Sequence, residues 1–477
     1  MNHSQHGLNP YDPPTALDAA PDAAEEEAGV AARPTNVRYL VLAALCAAAV
    51  IAYVQRVSMG VAEEPMREQL GITKQQMGSA MAAFFWAYAL LQIPSGLFGQ
   101  RFGSRRGLSI VMGLSSLVSL VTSAAVTLPL LAAARIGMGA AQAGVFPCAI
   151  PTLRQWIPEA RRSLATGLLG GSMSIGAAVG GATMGLLLPL IGWQAAFAVF
   201  ALPGFAFAVL FYAWFRETPE EHPAVNKAER NLIHRSVVGE AARRDAERED
   251  TATPEKVSTG GLLAWGYTVF AIAALCGQQV LRAAGQIFFA TWFATFLRET
   301  RGVGDLEVGL LSSLPWIAFV LGSPIGGLLG DWLTARTGSR RVGRQGLAAV
   351  GMLVCGLLVL AAFTVTNAWL AVLTIAAGSF FAAFGGPCAY SATIDMGGRH
   401  APTVFSTMNM MGNFGAALFP SAVPLLLAVG VPTGASNWNL VLWVFAGMYF
   451  AAAACWVLAD ATVSVERLLP AREEKPN

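Results

Sequence analysis

The sequence predicts an all-α membrane protein with twelve transmembrane helices in two pseudo-symmetric six-helix bundles and both termini cytoplasmic. Three observations lead there. Of 477 residues, 55% are hydrophobic and only 13% charged, with a mean hydropathy of +0.53; a soluble domain of ordinary composition carries roughly a quarter charged residues. Apolar runs of about 20 residues, the length that crosses the hydrocarbon core, number twelve, six before residue 216 and six after residue 260. A short pattern also recurs. GLFGQ at Gly96 to Gln100 answers GLLGD at Gly327 to Asp331, and GSRR at Gly103 to Arg106 answers GSRR at Gly338 to Arg341. Each copy ends the second span of its half, as expected for parallel repeats of six spans with a site between them.

In chain order, residues 1–36, with PYDPPTALDAAPDAAEEE, have the composition of a disordered cytoplasmic tail. Spans expected over 37–62, 76–98, 107–126, 128–152, 163–189 and 193–215 make an N-terminal bundle, 37–216. Residues 217–260 contain RETPEEHPAVNKAERNLIHR and ARRDAEREDTATPEK, too charged for lipid, and read as a cytoplasmic linker. Spans over 261–297, 306–334, 345–365, 368–395, 402–429 and 438–463 make the C-terminal bundle, 261–463, and residues 464–477 a cytoplasmic tail. No basic start with a cleavable apolar segment precedes the first span, so no signal peptide is expected.

Loop charges give the orientation. Arg101, Arg105 and Arg106 follow span two, Arg154, Arg161 and Arg162 follow span four, and Arg336, Arg340, Arg341 and Arg344 follow span eight. The connections after spans three, five, nine and eleven carry no Lys or Arg. By the positive-inside rule both termini are cytoplasmic.

Composition also excludes function classes. A net charge of +2 supplies no field for nucleic acid. Cys46, Cys148, Cys276, Cys355, Cys388 and Cys455 lie in apolar stretches without metal-site spacing and read as small core fillers. His3, His6, His222, His234 and His400 fall in polar tails or loops. With no phosphate loop and no nucleophile elbow, neither an enzyme nor a cofactor or metal is expected.

Only Arg56, Arg135 and Arg282 lie as charges well inside spans, and no carboxylate does; Glu63 and Glu64 close the first span. A charge at mid-membrane costs on the order of 2.5 to 3.5 kcal/mol on insertion scales, so such residues usually serve a water-filled site. Uncompensated guanidinium groups suit an organic anion, because the planar fork binds a carboxylate with two bonds. Snorkelling to the headgroups is the alternative for Arg56 and Arg135. Tyr53 shares a face with Arg56, Gln142 lies two turns from Arg135, Gln286 one turn from Arg282, and Asn409 and Asn413 pair on span eleven. These amides suit sugar hydroxyls, and each serves equally well to join two helices.

The stretches YVQRVSMGVA, FFWAYALLQIPSG, RIGMGAAQAGVFPCAIPTLRQWIPEARRSLATG, RETPEEHPAVNKAE and STMNMMGNFGAALFP resemble the anion:cation symporter branch of the major facilitator superfamily over about residues 37 to 460. That branch includes carriers of hexuronates, galactonate and glucarate, sialin and vesicular glutamate transporters. The resemblance implies secondary transport of a small organic anion, most simply a sugar acid, by alternating access. Arg56 matches the branch's first-span arginine, Arg135 opens its fourth-span pattern, and Arg282 resembles the seventh-span arginine of the animal carriers. Three positions depart: Gln55 and Gln142 stand where the branch has its proton-coupling Asp and Glu, and Gln100 where the gate motif has Asp, kept in the second copy as Asp331. Gln100, Arg101, Asp331 and Arg340 are the gate positions so implied. A glutamine does not titrate, so the branch's symport does not transfer with its substrate class. The competing expectation is a transport-inactive anion sensor or scaffold. The expected partners are the substrate and the bilayer, with the chain a monomer.

Overall fold

The computed structural model describes residues 33–234, 262–397, 401–432, 436–460 and 462–463. The expected tails, save residues 33–36, and the linker beyond 234 lie outside the described residues. Among those described, the regular structure is helical. In order come α1 (Val37–Leu70), α2 (Lys74–Ser123), α3 (Leu128–Gln142), α4 (Val145–Trp156), α5 (Glu159–Trp214), α6 (Leu262–Thr291) and α7 (Phe293–Arg301). Then follow α8 (Asp305–Thr337), a π-helical turn (Arg341–Gly346), α9 (Leu347–Ala361), α10 (Ala368–Ala382), α11 (Gly385–Gly397), α12 (Ala401–Leu427) and α13 (Trp438–Leu458).

Among the described residues, ten helical stretches are long and apolar enough to cross a membrane. The shortfall against the expected twelve arises at two corners. Spans two and three are continuous in α2, which turns at Gly103 (φ 75°, ψ 172°), and spans five and six in α5, which turns at Gly192 (φ 73°, ψ 169°). Such dihedrals suit a residue without Cβ; α5 is counted once, as Ala165–Trp214, and α2 through its second arm alone, Arg101–Ser123. Elsewhere single spans break: between α3 and α4 at 143–144, between α6 and α7 at Trp292, and between α10 and α11 at 383–384. Irregular backbone at membrane depth is tolerated only inside protein or beside water.

The first span runs on to Leu70 rather than ending near 62, and this corrects the expectation for its end. Polar residues there sustain the helix by pairing along it, Arg67 Nε with Glu63 at 3.0 Å. Gly71 in the left-handed region then ends it, and a Thr73/Gln76 capping box starts α2.

Helices α1 to α5 pack on one another, as do α6 to α13, and the two groups meet along three seams. All three lie toward the end that bears the α1–α2 turn. Gly60 of α1 abuts Ala290, Gly78 of α2 abuts Pro420, and Gly185 of α5 abuts Gly309, where an added Cβ would sit 2.4, 2.5 and 2.5 Å from the facing atom. Ser313 donates to the Ala178 carbonyl at 2.7 Å, and Lys74 Nζ to Ser436 Oγ at 2.8 Å.

At the opposite end the start of the linker is docked rather than free. The buried Glu229 carboxylate accepts the Val37 and Arg38 amides at 3.1 Å each and Arg38 Nη1 at 3.0 Å, capping α1. Glu217 caps the second arm of α2 through the Ser104 and Arg105 amides at 3.1 and 2.8 Å. An anion at a helix N-terminus meets unsatisfied N–H groups and the positive end of the dipole. His222, expected in a polar loop, is instead 1% exposed, edge-on to Trp156 and Trp214 with ring centres 5.7 and 5.0 Å away. Burial, then the Arg216 charge, hold its proton affinity below the ordinary histidine value.

Candidate functional site

The three arginines fall into two environments. Arg56 and Arg135 both approach Phe84 of α2, their guanidinium carbons each 4.8 Å from its ring centre. Arg56 also lies over Tyr53 at 4.3 Å and near Tyr88 at 4.8 Å. Cation–π contacts of this kind are worth about 0.5 to 2 kcal/mol each, more where water is excluded. Gly139 lets α3 approach Phe84, since a Cβ there would meet the Phe84 carbonyl oxygen at 2.2 Å. Two positive charges thus share one aromatic ring, with exposures of 8% and 2%.

Gln142 locks the arrangement. Its Nε2 donates to the Ala52 carbonyl at 2.9 Å, which turns Oε1 to accept Arg56 Nε at 3.2 Å. The Arg56 guanidinium also lies within reach of the Tyr88 hydroxyl. Arg135 Nε is buried without a partner. Among the described residues no carboxylate pairs with Arg56, Arg135 or Arg282.

Gln55, one residue before Arg56, points elsewhere. Its Nε2 donates to the Phe200 carbonyl at 3.0 Å and to Ser116 Oγ at 3.4 Å, inside the α1–α2–α5 packing. The structure therefore separates the two glutamines that the sequence grouped as coupling positions.

Arg282, 9% exposed, belongs to the other group of helices and donates from Nε and Nη2 to Gln279 Oε1 at 3.3 and 3.0 Å. Gln286 is half-buried one turn further along α6. Asn409 is half-buried on α12, and Asn413, four residues on, donates to Gln92 Oε1 of α2 at 3.0 Å, a bond between the two groups.

The gate positions divide similarly. Asp331 is exposed and pairs with Arg344 at 2.9 Å within its own group; Arg340 pairs with Asp395 at 3.5 Å, also within it. Arg101 is exposed near the Phe102 ring at 5.9 Å. The Gln100 side chain lies outside the described residues. Sequence reasoning missed Phe84 and Tyr88; the signal available was the spacing of four between the two aromatics on the span facing Arg56.

The family model described as the Major Facilitator Superfamily matches residues 44–420 and, in a second match, 275–476. The chain belongs to this superfamily. It is a multi-pass membrane protein of a transporter family and not an enzyme. It is 28% identical over 387 residues to a Cupriavidus necator protein named "Probable sulfoacetate transporter", covering 81% of this chain and 86% of that one. To the "Probable galactarate/D-glucarate transporter" of Escherichia coli it is 27% identical, covering 85% and 90%. To the "D-galactonate transporter" of Escherichia coli it is 30% identical, covering 69% and 74%. Among solved structures, a D-xylose-proton symporter shares the fold at a TM-score of 0.67 and 16% identity, over 89% of this chain and 98% of that one.

Proposed function

We propose that the protein is a secondary transporter of small organic anions, sugar acids foremost, working by alternating access between two six-helix bundles. Each arm of the cornered helices α2 and α5 counts as one pass, which gives twelve, with both termini in the cytoplasm and the α1–α2 turn facing outward. The observation that carries the reading is the pair of buried guanidinium groups at Phe84, held by aromatic faces and an amide and by no acid. Such a pair is completed by an anion, and the fork of each arginine fits a carboxylate. Arg282 approaches from the second bundle, and Asn409, Asn413 and Gln286 contribute amides for hydroxyl groups. The names of the three relatives support the substrate class.

Coupling through the positions of Gln55 and Gln142 is absent in this reading, since neither titrates. Transport is then facilitated diffusion, exchange or coupling to another ion. The test is uptake into proteoliposomes, after a thermal-shift screen against galactarate, glucarate, galactonate and sulfoacetate. A ligand at 100 times its dissociation constant stabilises the folded carrier by about 2.7 kcal/mol. Absence of both a shift and uptake across the panel would overturn the substrate class.

A further inference from the structure

The seam that holds the bundles together buries a carboxylate. Glu63, 0% exposed, sits where α1 runs past its expected end. The local sequence explains how. Gly60 lets α1 touch the Ala290 carbonyl. Pro65 has no N–H, so the Val61 carbonyl four residues earlier lacks its helical donor, and Arg298 of α7 takes that place from Nη2 at 2.9 Å. Between these two contacts, Glu63 accepts Arg67 Nε at 3.0 Å on one oxygen and meets the Thr295 hydroxyl of α7 with the other. One oxygen is thus tied to its own helix and the other to the opposite bundle.

The charges facing it are few. On α1 they are Arg67 and Glu64, with Glu68 beside Glu64. From the other bundle, Arg298 pairs with Glu64 at 3.3 Å and with Asp305 at 2.7 Å, and Glu299 is engaged by Lys74 of α2. The cationic neighbours other than Arg67 therefore have acids of their own.

We propose that Glu63 is a proton-binding latch: it takes a proton from the side this seam faces when the seam closes, and returns it to the same side when the seam opens. The inference rests on the alternating-access reading above. Closing the seam removes the carboxyl from water, which favours its neutral form. A threonine hydroxyl both donates and accepts, so the cross-seam bond to Thr295 forms with either state of the acid. Opening replaces Thr295 by water and favours the carboxylate. The proton enters and leaves by one side, so it is not carried across. Acid outside shifts the balance toward the closed seam, by at most about tenfold per pH unit for one titrating group.

The test places spin labels at Val126→Cys and Thr366→Cys, exposed sites in the loops at the seam end of each bundle. Cys46 and Cys455 are replaced by Ala, and the carrier is studied in liposomes by pulsed electron paramagnetic resonance. Between about pH 8 and about pH 5 the short-distance population should grow in the unmodified protein. It should become independent of pH in Glu63→Gln and keep its slope in Glu64→Gln. Should Glu63→Gln not fold, Glu63→Asp keeps an acid withdrawn from Thr295, and the slope should persist with a displaced midpoint. A population independent of pH in the unmodified protein, a slope retained in Glu63→Gln, or stoichiometric proton movement with the anion would each overturn the latch. Anion uptake with no slope sinks the latch alone; a slope lost in Glu63→Gln with no uptake of any anion on the panel sinks the carrier reading alone.

Discussion

The two halves of this molecule handle positive charge in opposite ways. The first half crowds Arg56 and Arg135 around one phenylalanine and fixes Arg56 with an amide. The second half gives Arg282 a hydrogen bond to Gln279, with Tyr390 and Tyr449 near. At the basic turns the contrast reverses: the second copy answers its arginines with Asp331 and Asp395, while the first copy uses Glu217 to cap backbone amides. Like charges repel more strongly out of water than in it. In the reading proposed above, a buried pair with aromatic faces and no acid is completed by an anion, whereas the arginines of the second turn already have acids of their own. The first half should hold the acid group of the substrate and the second half the remainder.

That division is broken or sharpened first at Arg135. Arg135→Lys keeps the charge and loses the fork, and charge-assisted bonds are worth about 1.5 to 3 kcal/mol each. Affinity for the best sugar acid should fall about tenfold to a hundredfold, measured by calorimetry in detergent. Wild-type affinity in Arg56→Ala, Arg135→Lys and Arg282→Ala alike would place the anion site elsewhere.

A second, smaller effect is expected at Gln142. Its Nε2 donates to Ala52, so a carboxylate there would face a carbonyl on one side and Arg56 on the other. In Gln142→Glu the ionised acid competes with the substrate for Arg56, and the protonated acid restores the amide's geometry. Anion binding in that variant should strengthen as pH falls through the new group's titration. A flat pH profile would show that Gln142 does not set the availability of Arg56.

Much of this was legible in the chain. Composition and run length predicted an all-helical membrane protein, and the superfamily resemblance was confirmed by the family match. The three buried arginines stood out because charges in apolar runs are rare. Other features lay beyond a linear reading. Glycines at 103 and 192 let helices turn corners with helical backbone continuing on both sides, which a linear count of apolar runs does not show. The polar run EEPMRE signals water and places Glu63 at the edge of its span, yet seam packing at Gly60 and pairing with Arg67 keep it inside a helix. Which way Gln55 points depends on Phe200 and Ser116, more than 60 residues away in sequence, and no local pattern announces that.

Arg282 offers the next contrast. Its fork is already partly used by Gln279, so Arg282→Ala should weaken a sugar acid by about tenfold or less, less than either first-half arginine. A loss equal to that of Arg135→Lys would erase the asymmetry between the halves. At the turns, Asp331→Asn removes an exposed partner of Arg344, and exposed pairs contribute about 1 kcal/mol at most. The change in cysteine labelling at the open end should be a few-fold, and greater than for Gln100→Asn. Equal changes in the two variants would remove the distinction between the copies.

The smallest expected effect tests whether the docked linker belongs to the first half as a folded unit. His222 is buried against Trp156 and Trp214, and that burial holds its proton affinity below the ordinary value. In the undocked segment the same imidazole takes a proton near its reference value of about 6.5. Below that pH the undocked form binds more protons than the docked one, so docking is fully favourable above it and weakens as pH falls. Residues 219–234 should therefore exchange amide hydrogens faster at about pH 5.5 than at about pH 7.5, after correction for intrinsic rates. His222→Gln cannot take up the proton, and its exchange should show no such pH dependence, even if docking is weaker throughout. The buried Glu229 cap on Val37 and Arg38 gives the internal reference: those two amides should lose protection together with the segment. If they stay protected while 219–234 opens, the cap and the histidine are separate devices, and the linker is not one unit with the first bundle.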